Sequence, residues 1–288
     1  MHLVMPRSGE AGAVTLVVGA SSGIGRATAL ALAARGDHVG LLARREDELE
    51  ETADECRAAG AASAWVTTCD VDEDEEVAAA IADTLDRRGR LDAVVHCAGI
   101  VTYGRTEDAD AEHTRQVVHT NLLGAITVAR HVVPVLRRQA HGTLVLVGSL
   151  LGHIAVPGMT PYVVSKWGVR ALVRQLRIEN LDMPGVRIVH VSPGSVDTDI
   201  YGDALDDAGA VNVPPPPVLS PEKVAHVVVR AVDRGHGTVQ TSLVNYALIA
   251  AFVVAPRTWD RLVGPVFERT SHRRRSRAPA TDPAEEPR

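Results

Sequence analysis

The chain is expected to fold as an α/β protein: one doubly wound parallel sheet with helices on both faces. Three observations predict it. From Val14 onward, short apolar runs alternate with longer amphipathic stretches, the rhythm of successive βα units whose sheet is covered on both faces. A glycine-rich turn, GASSGIG, follows the first apolar run directly. At 288 residues, 45% hydrophobic and 23% charged, the chain is long enough for one substantial core.

Element by element, VTLVVGA from Val14 reads as the first strand and Arg26 to Arg35 as a helix stopped by Gly36. HVGLLAR is the second strand, followed by a charged helix from Glu46 to Ala59. SAWVTTCDV is the third. The helix in DEDEEVAAAIADTLDRRG opens acidic and closes on arginines, matching the helix macrodipole at both ends. LDAVVHCAG, TLVLVGS and RIVHVSPG are the next three strands, separated by helices over Arg115 to Gln139 and Tyr162 to Asn180. The rhythm breaks over residues 195–221, where acidic and small residues lead into Pro214 to Pro217; a connection this long is expected to form a substrate lid. PEKVAHVVVRAVDRG is then a capped helix and TVQTS a last strand. The fourteen-residue apolar segment 243–256, LVNYALIAAFVVAP, is shorter than the ~20 residues a spanning helix needs. It reads as a buried or subunit-interface helix, with a membrane-surface role as the alternative. Residues 13–268 are thus taken as one domain, 1–12 as a flexible lead-in and 269–288 as a disordered basic and polar tail.

Composition narrows the function classes. A net charge of −6 offers no general attraction to nucleic acid, and SHRRRSR in the tail reads as a solvated run. The three cysteines, Cys56, Cys69 and Cys97, are widely spaced without a CxxC pair, which fits a reducing cytoplasm. The twelve histidines show no metal-ligand spacing. A serine-hydrolase elbow around Ser149 fails, because Val147 and Leu151 stand where its glycines belong.

Two clusters carry chemistry. Gly19, Gly23 and Gly25 fall between the first strand and its helix, the Rossmann-type context in which bare backbone and a helix N-terminus receive a pyrophosphate. Downstream, Tyr162 and Lys166 lie one helical turn apart, with Ser149 thirteen residues before the tyrosine. A cation on the same helix face favours a phenolate, so Lys166 is expected to lower the pKa of Tyr162 from its ordinary ~10 and make the pair an acid/base device. Only one other lysine, Lys223, occurs in the chain. At the end of the second strand, Ala43, Arg44 and Arg45 stand where a carboxylate would select NAD. Two guanidiniums favour the 2′-phosphate, so NADP(H) is expected over NAD(H).

The GxxxGxG spacing, joined to Tyr162-xxx-Lys166 and Ser149, resembles the classical short-chain dehydrogenase/reductase (SDR) family from about Val14 to Asp199. The resemblance implies that Ser21, Ser22 and Ile24 complete the glycine turn, although Val18 replaces a usual threonine. It implies that Asp70 and Val71 contact the adenine. Ala98 and Gly99, in HCAG rather than the common NNAG, pass beneath the cofactor. Pro193, Gly194 and Thr198 turn under the nicotinamide, Thr198 at its carboxamide. In the catalytic set it implies that Ser149 holds the substrate oxygen, Tyr162 exchanges a proton with it, Lys166 binds the nicotinamide ribose, and Asn121 helps hold a relay water near the lysine. An oxidoreductase interconverting a secondary alcohol and a ketone or aldehyde, as a homodimer or homotetramer, follows from that resemblance. The competing reading is a catalytically silent NADP-binding sensor or scaffold of the same fold; the intact Ser149, Tyr162, Lys166 and Asn121 weigh against it. The pocket is expected to be lined from Ile100, Val101, Leu150 to Met159, Ile200 and Tyr201, with His153 as its polar member, and to take an apolar substrate.

Overall fold

Seven apolar runs become strands of a single sheet because both of their faces are covered. They are β1 (Val14–Val18), β2 (His38–Ala43), β3 (Ser63–Thr68), β4 (Ala93–His96), β5 (Gly142–Val147), β6 (Val186–Ser192) and β7 (Thr238–Gln240). All five residues of β1 and all six of β5 are buried, as strands sandwiched between helix layers must be. The computed structural model describes residues 12–202, 204–206 and 211–273. Nearly all of the expected lead-in and the tail beyond Arg273 lie outside the described residues.

The strand order is β7-β6-β5-β4-β1-β2-β3, with every neighbouring pair parallel. Helices α1 (Gly23–Ala33) and α2 (Glu46–Ala59) cover one face through Ala29, Leu32, Leu49 and Ala53 packed on Val17, Val39 and Leu41. Helices α3 (Asp74–Arg88), α5 (Gly124–Gln139) and α6 (Thr160–Glu179) cover the other through Val77, Val128, Val132 and Val173. α7 (Pro221–Arg234) returns to the first face and buries Val224 and Val228 on Val95, Val145 and Val189. After β3 the chain crosses back to pair β4 with β1, so connections leave β1 and β4 in opposite directions and a crevice opens at their carboxyl ends.

Three boundaries differ from expectation, each for a local reason. α1 starts at Gly23, inside the glycine motif rather than at Arg26, because the turn itself feeds the first helical hydrogen bonds. The helix expected over Arg115 to Gln139 begins at Ala111 as α4 (Ala111–Val118), where Asp110 accepts hydrogen bonds from the backbone N–H groups of Glu112 and His113 at 2.7 and 3.2 Å. It is then interrupted by a π-helical turn over His119–Leu123 before α5 resumes. At the C-terminus, α8 (Leu243–Val254) is followed after Ala255 by a further helix, α9 (Pro256–Ser271). Gly264 and Pro265 inside α9 are breaker signals, which is why the sequence pattern conceals it. The tail expected from 269 is therefore helical to Ser271, and His272–Arg273 pair antiparallel with Val211–Asn212.

Within 195–221, short pairings tie the segment down. Ser195–Val196 pair with Val218–Leu219, and Leu205–Asp206 with Thr102–Tyr103.

Candidate active site

The glycine turn is shaped by contacts that leave no room for side chains. Gly19 has φ +80°, and a Cβ there would stand 2.6 Å from the Ala98 nitrogen. Gly25 lies against the Gly19 carbonyl so closely that a Cβ would collide with it. The strand ends after β1 and β4 are thus in backbone contact, and their bare edges line one crevice together with Ser21, Ser22, Gly23, Ile24, Asp70, Val71 and Gly99. Arg44 and Arg45 stand at its rim. The Arg44 guanidinium is 3.8 Å from Asp70, while Arg45 donates to the Ser21 and Ser22 hydroxyls at 3.3 and 3.4 Å and pairs with Glu48. Thr198, whose methyl faces Gly23, closes the crevice from the opposite side.

At the deep end, Asn121 and Lys166 converge on Gly99: a Cβ at that glycine would lie 3.1 Å from Asn121 Oδ1 and 3.2 Å from Lys166 Nζ. Asn121 sits in the π-helical turn and is fully buried. Its Oδ1 accepts from the Ile100 N–H at 2.8 Å, and its Nδ2 donates to the Ile100 carbonyl and the Ser165 hydroxyl at 2.9 and 3.0 Å. The residues present fit a dinucleotide: exposed backbone for a diphosphate, guanidiniums for a further phosphate, and an ammonium at the far end for ribose hydroxyls.

Ser149 follows β5, its hydroxyl accepting from the Leu151 N–H at 3.1 Å and standing near enough to the Tyr162 phenol to favour its ionised form. Pro193 fixes this loop from below, its carbonyl accepting from the Leu150 N–H at 2.6 Å. The next residue, Gly194, packs on Asn245 of α8, which leaves 2.8 Å between a Cβ at 194 and Asn245 Oδ1. Gly148 is pressed just as tightly against the His190 ring of β6, with no space for a Cβ.

The electrostatics correct one expectation. Instead of being lowered, the Tyr162 pKa is raised above its ordinary value by burial, which the Ser149 hydroxyl only partly reverses. Lys166 Nζ lies over the face of the Tyr162 ring, 5.6 Å from its centroid, and the lysine itself is buried, which pushes its pKa down to about 8. His96 and Cys97, in place of two asparagines, bring no polar contact to the crevice. The His96 ring is buried with neither nitrogen hydrogen-bonded and its pKa pushed down to about 3, while burial lifts the Cys97 thiol to about 12.

A second, mostly apolar pocket opens on the other side of Tyr162. Val101, Leu150, Leu151, Ile154, Met159, Ile200 and Tyr201 line it as expected. His153 does not. It is buried away from the pocket, beside His190 at 5.6 Å between ring centroids and within 3.2 Å of the Gln240 amide. Sequence reasoning also missed an entire wall: Leu248 of α8 and Trp259, Val263, Val266 and Phe267 of α9. The apolar stretch at 243–256 was the one signal pointing there. Its reading as a buried helix fails, since Leu243, Val253 and Val254 are 85%, 68% and 81% exposed.

Fold and site together define a class, the oxidoreductases that work through a nicotinamide dinucleotide on a doubly wound sheet. Comparison with known proteins narrows it. A profile of the short chain dehydrogenase family matches residues 13–208, and the chain belongs to that family of NAD(P)-dependent oxidoreductases. It is 32% identical over 233 residues to glycine betaine reductase ATRR of Emericella nidulans, covering 79% of this chain but only 18% of that longer protein. It is also 32% identical over 235 residues to 11-beta-hydroxysteroid dehydrogenase A of Sesamum indicum, covering 78% of this chain and 67% of the relative. Among solved structures, an alcohol dehydrogenase from the archaeon Thermococcus sibiricus, complexed with 5-hydroxy-NADP, superposes with a TM-score of 0.69. It is 30% identical, and the match covers 79% of this chain and 94% of that one.

Proposed function

We propose that this protein is an NADP(H)-dependent oxidoreductase that interconverts a secondary alcohol and a ketone, or an aldehyde, on an apolar substrate. The observation that carries the reading is that Ser149 and Tyr162 line the apolar pocket while Lys166 Nζ, 5.6 Å from the Tyr162 ring centroid, also reaches Gly99 of the glycine-lined crevice. When bound, the dinucleotide supplies or accepts the hydride. Gly19, Ser21, Ser22, Gly23, Ile24 and Gly25 hold its diphosphate against bare backbone, Asp70 and Val71 its adenine, and Ala98, Gly99, Pro193, Gly194 and Thr198 its nicotinamide half. Arg44 and Arg45 at the rim suit a 2′-phosphate, and the NADP derivative carried by the Thermococcus relative supports the same preference.

Ser149 holds the substrate oxygen beside Tyr162. A phenol whose pKa is raised by burial remains protonated at neutral pH, the form that donates to a carbonyl oxygen during reduction. Lys166 binds ribose hydroxyls and returns a proton to the tyrosine, and Asn121 holds the relay path at Ile100. Residues 195–221 act as the lid. A homodimer or homotetramer in a reducing compartment such as the cytoplasm completes the reading; no helix among the described residues is long and apolar enough to cross a membrane. The test is a panel of apolar ketones, aldehydes and alcohols followed by nicotinamide absorbance with both cofactors. Turnover with NADPH exceeding that with NADH is expected; no turnover on any member, or equal turnover in Tyr162→Phe, overturns the assignment.

A further inference from the structure

Helix α8 has no charged residue, and none occurs anywhere in 243–256. A helix apolar around most of its circumference belongs in a core or against an apolar medium, yet among the described residues this one makes its side-chain hydrogen bonds to other elements through Asn245 and its ring contacts through Phe252. Asn245, its single buried residue, donates to the Ser192 carbonyl and the Gln240 side chain, each at 3.1 Å. Phe252 sits edge-on between Trp167 of α6 and Trp259 of α9, with ring centroids 6.2 and 5.6 Å away. Leu243, Tyr246, Val253 and Val254 face outward, and Leu262 and Val266 extend the exposed apolar surface onto α9.

Charge identifies what covers this surface. The protein as a whole carries −6, but residues 243–277 hold seven arginines against two carboxylates, Asp260 and Glu268. Arg257, Arg261 and Arg269 stand exposed on α9 beside the uncharged helix. A second copy laid on this face would set arginines against arginines. A bilayer bearing anionic headgroups offers phosphates to the arginines and hydrocarbon to α8. At about 1.5 Å per residue, twelve residues reach roughly 18 Å, well short of the ~30 Å hydrocarbon core, so the helix lies in the plane of the surface. Trp167 and Trp259 flank it, the residue type that settles at headgroup level.

We propose that α8, with the arginine-bearing side of α9, docks this protein on the surface of an anionic lipid bilayer. Val244 and Val266 belong to both the exposed face and the lining of the apolar pocket, so docking brings the pocket rim to the lipid. The inference does not depend on the reaction assigned above. It is tested by flotation of the full chain with vesicles of phosphatidylcholine, with and without phosphatidylserine. Flotation only with phosphatidylserine, weakened by raised salt, is expected. The triple variant Leu243→Glu, Val253→Glu, Val254→Glu should lose at least tenfold in bound fraction with an unchanged circular dichroism spectrum and unchanged mass by light scattering. Tryptophan fluorescence of the unaltered protein should be quenched by brominated acyl chains in the same vesicles. No flotation, flotation indifferent to phosphatidylserine, a triple variant that still floats, or one that falls from dimer to monomer overturns the proposal, the last by making the occupant a second copy of the chain.

Discussion

The crevice and the pocket share Val101 and Ile200 but are built from different material. The crevice is made of backbone: glycines at 19, 23 and 25 and the ends of the first four strands, each contributing two to five consecutive residues. The pocket is made of side chains gathered from segments as far apart as Val101, Leu150, Tyr201, Leu248 and Phe267. A ligand held by main chain constrains which residues cannot be there. A ligand held by side chains is constrained only by what the chain happens to bring near. One region is therefore tuned by glycine and charge, the other by shape, and substitutions in each should fail differently.

The sharpest break between the two comes from Tyr162, which lines the pocket beside Lys166. Tyr162→Phe is expected to lower turnover by about 10³-fold, within the usual range for a lost general acid, while NADPH affinity measured by fluorescence titration stays unchanged; a parallel loss of affinity would place the tyrosine on the crevice side only. Next in size, Ala43→Asp with Arg44→Ala should move the NADP-to-NAD preference, as the ratio of kcat/KM values, by roughly 30-fold or more, the worth of about 2 kcal/mol of charge-assisted hydrogen bonding. An unmoved ratio would mean that Arg45 or the turn serines carry the phosphate instead.

Acidity separates the regions further. Because Lys166 titrates at about 8, its ammonium is present below that pH and lost above it, so kcat/KM for carbonyl reduction should hold below pH 8 and fall up to tenfold per unit beyond. For stability the sign is the opposite: between about 8 and the ordinary lysine value the unfolded chain binds the proton that the native chain has lost, so the cost of burying this ammonium is lifted and stability rises with pH through that window. A flat profile to pH 10 would remove the lysine from the proton path. The smallest effect is on the pocket. Leu248→Ala should raise KM for an apolar substrate about fivefold, the loss of roughly 1 kcal/mol of apolar contact, with kcat and cofactor affinity intact. An effect on kcat would show that α8 shapes the nicotinamide side through Asn245 and Gly194.

The same division governs what the sequence reveals. The sheet, the glycine turn and the Tyr162, Lys166 pair are encoded within windows of a few residues, where period and spacing suffice, and the crevice was legible for that reason. Ser149 and Asn121 were found through resemblance, since a serine after a strand or a buried asparagine in a helix has no local mark. The π-helical turn that seats Asn121 has none either. α9 was invisible because Gly264 and Pro265 interrupt its pattern. His153 was misassigned because its neighbours in the chain line the pocket while its own ring turns to His190 and Gln240. The phenol's raised pKa comes from burial, which spacing along a helix does not convey.

Gly148, wedged against His190 one residue ahead of Ser149, has an evolutionary consequence. The imidazole fills the volume that any alanine at 148 would need, and with no exposure of its own it has nowhere to retreat. Neither position can drift alone: a methyl group arriving first meets the ring, and a smaller residue replacing the ring first leaves a hole under the serine. The two sites should therefore change in concert along a lineage or not at all, an epistatic lock that keeps the reactive hydroxyl in register while the outer walls of the pocket are free to diversify.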